Sequence, residues 1–135
     1  MSTLKTGKVK TTTISNELDT ESTEVTNVVN GSAKAWVNFN GIGTVAIRRG
    51  FNVSSITDNG TGNYTVNFTT AMTDANYTVV LQSTGFSLAN IGGNIVIAGT
   101  YTGANLKSTT QLQLQTFANT TAVYDYAEIN VAVFR

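Results

Sequence analysis

Phe51-Asn52-Val53-Ser54-Ser55-Ile56-Thr57-Asp58-Asn59-Gly60-Thr61-Gly62-Asn63-Tyr64-Thr65-Val66-Asn67-Phe68-Thr69 decides the fold class. Tyr64, Val66 and Phe68 alternate with Thr65, Asn67 and Thr69. A period of two places one side-chain set in a core and the other outside, as in an antiparallel strand. Asn59-Gly60 supplies positive φ at little steric cost. The Asp58–Asn63 stretch therefore closes a hairpin between strands at 51–57 and 63–70.

The same alternation extends outward in both directions. It starts at Val25 and takes in Val37 and Phe39, then Val45 and Ile47, then Phe51 and Val53 beyond Arg48-Arg49-Gly50. On the C-terminal side it takes in Tyr77, Val79 and Leu81, then Leu112 and Leu114, then Ile129, Val131 and Val133. Asn40-Gly41-Ile42-Gly43, Asn90–Asn94 and Thr102–Asn105 read as turns. Residues 70–76 read as a connector with one helical turn. About eight strands in roughly 110 residues predict an all-β chain, either an antiparallel β-sandwich or a small barrel. Trp36, Val80 and Phe134 fall on the opposite strand face from this core. That predicts a second buried surface, most simply made by another copy of the chain.

Residues 1–30 differ from residues 31–135. The stretch from Glu17 to Glu24 holds four of the eight acidic residues, and Lys5, Lys8 and Lys10 precede it. It has too few apolar positions for a core of its own. It is expected to be an extended arm that becomes ordered against a neighbouring subunit.

Composition narrows function further. The 135 residues include 24 Thr and 15 Asn and no Cys, His or Pro, and eight basic residues balance the eight acidic ones. Without Cys there are no disulfides and no thiolate metal sites. Without His there is no Ser-His-Asp triad and no imidazole ligand. A neutral chain lacks the basic excess that binds nucleic acid. No apolar run approaches the ~20 residues of a membrane helix. The basic N-terminus has no apolar segment behind it, so a protein made and kept soluble in the cytosol is expected.

Paired carboxylates are the catalytic chemistry left open. Asp58 falls in a hairpin turn, and Asp74 falls in a connector that it is expected to cap. Asp125 and Glu128 have opposite strand parity and should point to opposite faces. No Asp-x-Asp loop offers calcium clustered oxygens. Neither enzymatic activity nor a cofactor is expected. The Asn-x-Ser/Thr sequons, Asn52-Val53-Ser54 among them, follow from composition. Arg48-Arg49 is the densest basic spot of the β region and is a candidate subunit contact for Glu17, Glu21 and Glu24 of the arm. Loops on a rigid scaffold usually carry binding. Phe86, Asn90, Asn94, Tyr101, Asn105 and Lys107 are therefore the candidate receptor contacts.

The run Ala33-Lys34-Ala35-Trp36-Val37-Asn38-Phe39-Asn40-Gly41, continued by Gly43-Thr44-Val45-Ala46-Ile47-Arg48 and by Phe51–Gly62, Tyr64–Met72 and Asp74–Tyr77, carries a more specific signal. It resembles a module at the C-terminal end of tail-fibre-like proteins of tailed bacteriophages. The resemblance covers about Gly31 to Leu81, and more loosely the strands to Arg135. It implies a homotrimeric, non-enzymatic receptor-binding protein of the virion tail, assembled in the host cytoplasm. Such a protein would attach to a host-surface glycan or protein, without nucleic acid or membrane insertion, and dock on other virion proteins through its arm. The alternatives are a structural virion component, such as a capsid decoration protein or tail adaptor, and a polysaccharide depolymerase.

Overall fold

The structure is a computed structural model that describes residues 13–15, 22–84, 94–96, 106–117 and 122–135. The chain divides into two units, residues 1–32 and residues 33–135. In the first unit, β1 (Thr13–Ser15) pairs antiparallel with β2 (Ser22–Glu24). Helix α1 (Val25–Gly31) follows directly. The alternation read from Val25 is thus corrected, because it begins only at Ala33. Val25, Val28 and Val29 have the i, i+3, i+4 spacing of one helix face, and this overrides the strand preference of valine.

The second unit is built from strands. β3 (Ala33–Asn40), β4 (Ala46–Phe51), β7 (Thr78–Thr84) and β10 (Glu128–Phe134) form one sheet in the order β4-β3-β10-β7. β5 (Val53–Asp58), β6 (Asn63–Phe68), β8 (Asn94–Val96) and β9 (Gln111–Phe117) form the other in the order β5-β6-β9-β8. Every pairing is antiparallel. The two sheets stay open, which sets aside the small-barrel alternative. Residues 70–76 contain no helical turn.

The inward residues are the ones the alternation selects. Ala35, Val37 and Phe39 on β3 meet Ile129, Val131 and Val133 on β10. Tyr64, Val66 and Phe68 on β6 and Leu112 and Leu114 on β9 join the same buried cluster. The Phe39 and Tyr64 rings, one from each sheet, meet edge to face with centroids 5.3 Å apart.

One residue carries the chain from the first sheet to the second. Asn52 lies between β4 and β5 with φ of 55°. Asparagine tolerates this left-handed conformation better than most non-glycine residues. Its side-chain amide N–H groups donate to the carbonyls of Lys34 (3.0 Å) and Thr70 (3.1 Å), and its amide oxygen accepts from the Thr70 N–H at 2.7 Å. Its carbonyl accepts from the Thr69 N–H. The corner is thereby bonded to β3 on one side and to the chain leaving β6 on the other.

A second knot lies at the opposite end of β6. Tyr64 is fully buried, and its hydroxyl lies 2.5 Å from Asp125 Oδ1 and 3.0 Å from the Gly41 carbonyl. The same carboxylate oxygen accepts from the Gly62 N–H at 2.6 Å. Asp125 thus precedes β10 and bonds to buried Tyr64, while Glu128 faces outward with Asn38 and Asn130, so the two carboxylates point to opposite faces. Gly62 has φ of 63°, and an added Cβ would stand 2.6 Å from the Thr116 carbonyl oxygen, so only glycine fits.

Replacing Asn52 by Ala removes three side-chain hydrogen bonds and leaves a Cβ in the left-handed region. At about 1 kcal/mol per bond, and with a Cβ present at this φ in either residue, we expect a loss of about 3 kcal/mol. Asn52→Gly should lose about 1 kcal/mol less, because glycine relieves the backbone. Urea unfolding followed by circular dichroism measures both, and an Asn52→Ala midpoint equal to wild type would remove the corner from its role.

Candidate functional site

The outward face of the β4-β3-β10-β7 sheet carries the most distinctive surface among the described residues. The register places Phe51 opposite Trp36, Trp36 opposite Ala132, and Ala132 opposite Val80. These four residues form an apolar row across all four strands. Phe51 is 55% exposed, Trp36 38% and Val80 57%. Two residues along the strands runs a parallel polar row of Arg49, Asn38, Asn130 and Gln82, also in register. Same-face neighbours along a strand are about 7 Å apart, so the two rows lie side by side.

Small Ala132 between Trp36 and Val80 leaves a depression of about 220 Å³, lined by Trp36, Asn38, Val80, Gln82, Asn130 and Ala132. The middle of the polar row is braced. The Asn38 side-chain amide donates to Asn130 Oδ1 (2.6 Å) and to Glu128 Oε1 (3.1 Å), and the Asn130 amide donates to the same Glu128 oxygen (3.1 Å). The Arg48 guanidinium donates to the Ala127 carbonyl and reaches Asn38 Oδ1 at 3.5 Å.

The bulge in β4 explains why Phe51 belongs to this face. Asn38 pairs with Arg49 and Phe39 with Ile47, so Arg48 is the extra residue. One extra residue reverses the side-chain parity beyond it. Ile47 and Phe51 share parity in the sequence, yet Ile47 pairs with inward Phe39 and Phe51 with outward Trp36. Arg48 and Arg49 lie within the strand, where charge and a bulge discourage pairing with a foreign edge.

The other sheet presents a contrasting outer face. The Asn67 amide donates to the hydroxyls of Ser55 and Thr57, both at 3.0 Å, and the Gln113 amide donates to Asn63 Oδ1 at 3.0 Å. The Asn59 amide donates to the Thr65 hydroxyl at 2.8 Å. These hydroxyls and amides largely satisfy one another.

Of the residues singled out from the sequence, Arg48 and Arg49 lie on the outer face just described. Lys107 has a supporting place. Its ammonium lies 5.1 Å from the centroid of the Tyr77 ring and donates to the Tyr77 carbonyl at 3.0 Å. Asn94 opens β8 and Glu24 ends β2. Phe86, Asn90, Tyr101, Asn105, Glu17 and Glu21 lie outside the described residues. Trp36 and Val80 were legible as apolar residues off the core parity. Phe51, Asn38, Asn130 and Gln82 were not, because only the register brings them together.

Each described side-chain carboxylate of the second unit has a donor. Asp58 accepts from the Gly60 N–H, and Asp125 from Gly62 and Tyr64. Glu128 accepts from the two asparagines. Asp74 accepts from the Asn76 N–H at 2.7 Å and pairs with Arg135, and these partners hold its carboxyl below the usual range. Among the described residues, no group of three or more acidic side chains gathers as a metal site would require. No helix among them is long and apolar enough to cross a membrane. Comparison with protein-family models, curated proteins and solved structures returns no match.

Tyr77, clamped under Lys107, gives these contacts a measurable signature. Burial pushes its hydroxyl up to about 12, and burial also raises Tyr64 and Tyr126. An unfolded tyrosine releases its proton near pH 10, while the folded chain still holds it. The unfolded state therefore binds fewer protons above pH 10, and stability falls as pH rises. We expect a constant urea midpoint from pH 7 to 9 and a steep decline from pH 10 to 12. Tyr77→Phe should make that decline shallower, and an unchanged slope would contradict the assignment.

Proposed function

We propose that the chain is a non-enzymatic attachment protein of a bacteriophage virion, a tail fibre or fibre tip whose β-sandwich meets the host surface. One observation carries the reading. A braced sheet presents an exposed tryptophan beside a row of amides, while the described carboxylates of the same unit are occupied in structural contacts. The resemblance of residues 31–81 to tail-fibre modules points the same way. In this reading the body needs rigidity and a dull surface rather than a reactive centre.

The first unit supplies the assembly element of the proposal. Val28 and Val29 on α1 are 39% and 54% exposed. A seven-residue helix is too short to be stable in water alone and gains most from packing. Three copies that joined these valines would form a homotrimer. Repetition of a weak site on a trimer, and of trimers on a particle, raises avidity without any new contact. The acidic residues Glu17, Glu21 and Glu24 would serve docking on another virion protein.

Two measurements test the reading. Light scattering after size exclusion should give a mass near three chains, and Val28→Asp/Val29→Asp should reduce it to one. Purified protein should compete with phage adsorption to host cells in a dose-dependent way. Absence of competition at saturating protein, together with antibody labelling of the capsid rather than the tail tip, would favour a decoration protein instead.

A further inference from the structure

We propose that the Trp36 depression is a carbohydrate subsite that takes one ring of a neutral glycan. The proposal rests on the attachment reading and names the class of ligand for the same face. A sugar ring has a C–H surface on one side and hydroxyl groups around its rim. Aromatic faces take the first, and amide groups that both donate and accept hydrogen bonds take the second. The site offers both at matching separation. Trp36 and Val80 stand on strands two apart, roughly 10 Å between backbones, with Ala132 as the floor. The polar row lies about 7 Å along the strands from that floor, within reach of the rim of a ring resting beside Trp36.

The hydrogen-bonding groups have the right polarity. Asn130 uses one of its two amide hydrogens on Glu128, which leaves the other for a ligand. Its oxygen accepts from Asn38, so its orientation is set in advance. Gln82 is exposed beside it and offers a donor pair and an acceptor, and exposed Arg49 ends the row. A neutral polyol suits this mixed set. A polyanion would meet the exposed Arg49 guanidinium with the Glu128 carboxylate in the adjoining row, opposite Thr84.

Size argues against a protein partner on this patch. A stable protein–protein contact buries about 800 Å² on each side. Phe51 and Trp36, each offering roughly half of an aromatic side chain's 150–250 Å², contribute about 200 Å² together. Protein–protein contacts of that size are a little over half apolar, about 450 Å² a side, and even with Val80 the row supplies less. The depression is also smaller than the ~300–1,000 Å³ of drug-sized pockets and suits a single ring. The other sheet's outer face makes a poorer alternative, because it carries no tryptophan and the amides of Asn59, Asn67 and Gln113 are bonded within it.

Trp36 is the sole tryptophan of the chain, so its emission reports on the site directly. The full-length protein is titrated with maltoheptaose, a mannan fragment, a β-galactan fragment and polysaccharide purified from the host surface, with polysialic acid as the anionic control. We expect a saturable blue shift with at least one neutral glycan and none with polysialic acid. A half-point on the order of millimolar fits a single weak contact. Ala132→Leu fills the depression on the outer face and should weaken binding at least tenfold, with an unchanged circular dichroism spectrum. Trp36→Ala, read by affinity electrophoresis, should do the same.

The inference is overturned if none of the neutral glycans shifts the emission, if binding survives both substitutions, or if acrylamide cannot reach Trp36 in the ligand-free oligomer. The last result would assign the face to a second copy of the chain. The Ala132→Leu protein separates this inference from the reading beneath it. If it still blocks phage adsorption, attachment stands and the Trp36 site falls. If wild type binds glycan yet does not block adsorption, the site stands and the attachment reading falls.

Discussion

The architecture turns on a single residue. Between β4 and β5 the chain must leave one sheet and enter the other with no loop in which to do it. Asn52 makes that turn with a left-handed backbone, and its amide holds Lys34 and Thr70 together across it. If residues 46–58 ran as one straight strand, they would stay in one sheet. The second sheet would then lose the hairpin on which β6 and β9 are laid. The corner therefore determines that the buried residues of β3, β10, β6 and β9 face one another.

Tyr64 closes what Asn52 opens. Its phenol has a single proton and two nearby acceptors, and the carboxylate of Asp125 is the nearer and the stronger. Asp125 also receives the Gly62 N–H, so one side chain binds the hairpin end, the middle strand of the second sheet and the segment entering β10. A buried phenol without an acceptor would cost roughly 1–3 kcal/mol, which makes the satisfied pair a constraint on how the second sheet packs. The carboxylate that could have been considered for catalysis is consumed in this role.

Much of this was legible in the sequence, for a physical reason. Strand alternation is a direct imprint of burial, so Tyr64, Val66, Phe68, Leu112, Leu114, Ile129, Val131 and Val133 identify the core unaided. Asn59-Gly60 identifies the hairpin because few other pairs accept its dihedrals. What was illegible depends on register. The bulge at Arg48 moves Phe51 to the outer face without any mark in the composition. Helix α1 was hidden because its valines suit a strand as well as a helix, and the choice rests on the spacing of 25, 28 and 29.

The two outer faces show how one composition produces two surfaces. Both are rich in Asn, Gln and Thr, and the chain has only 12% charged residues to keep it in solution. On the β5-β6-β9-β8 sheet, Asn67 pairs with Ser55 and Thr57, and Gln113 with Asn63, across strands. On the β4-β3-β10-β7 sheet, Glu128 draws Asn38 and Asn130 into one braced unit, while Trp36, Phe51 and Val80 interrupt the polar ladder. An apolar row costs solubility unless something it meets repays the exposure. Its placement on two central strands, Trp36 on β3 and Ala132 on β10, with the bracing directly beside it, gives it the rigidity of the core underneath. Asn38 and Asn130 are held in place beforehand, so a ligand that used them would cost little side-chain entropy.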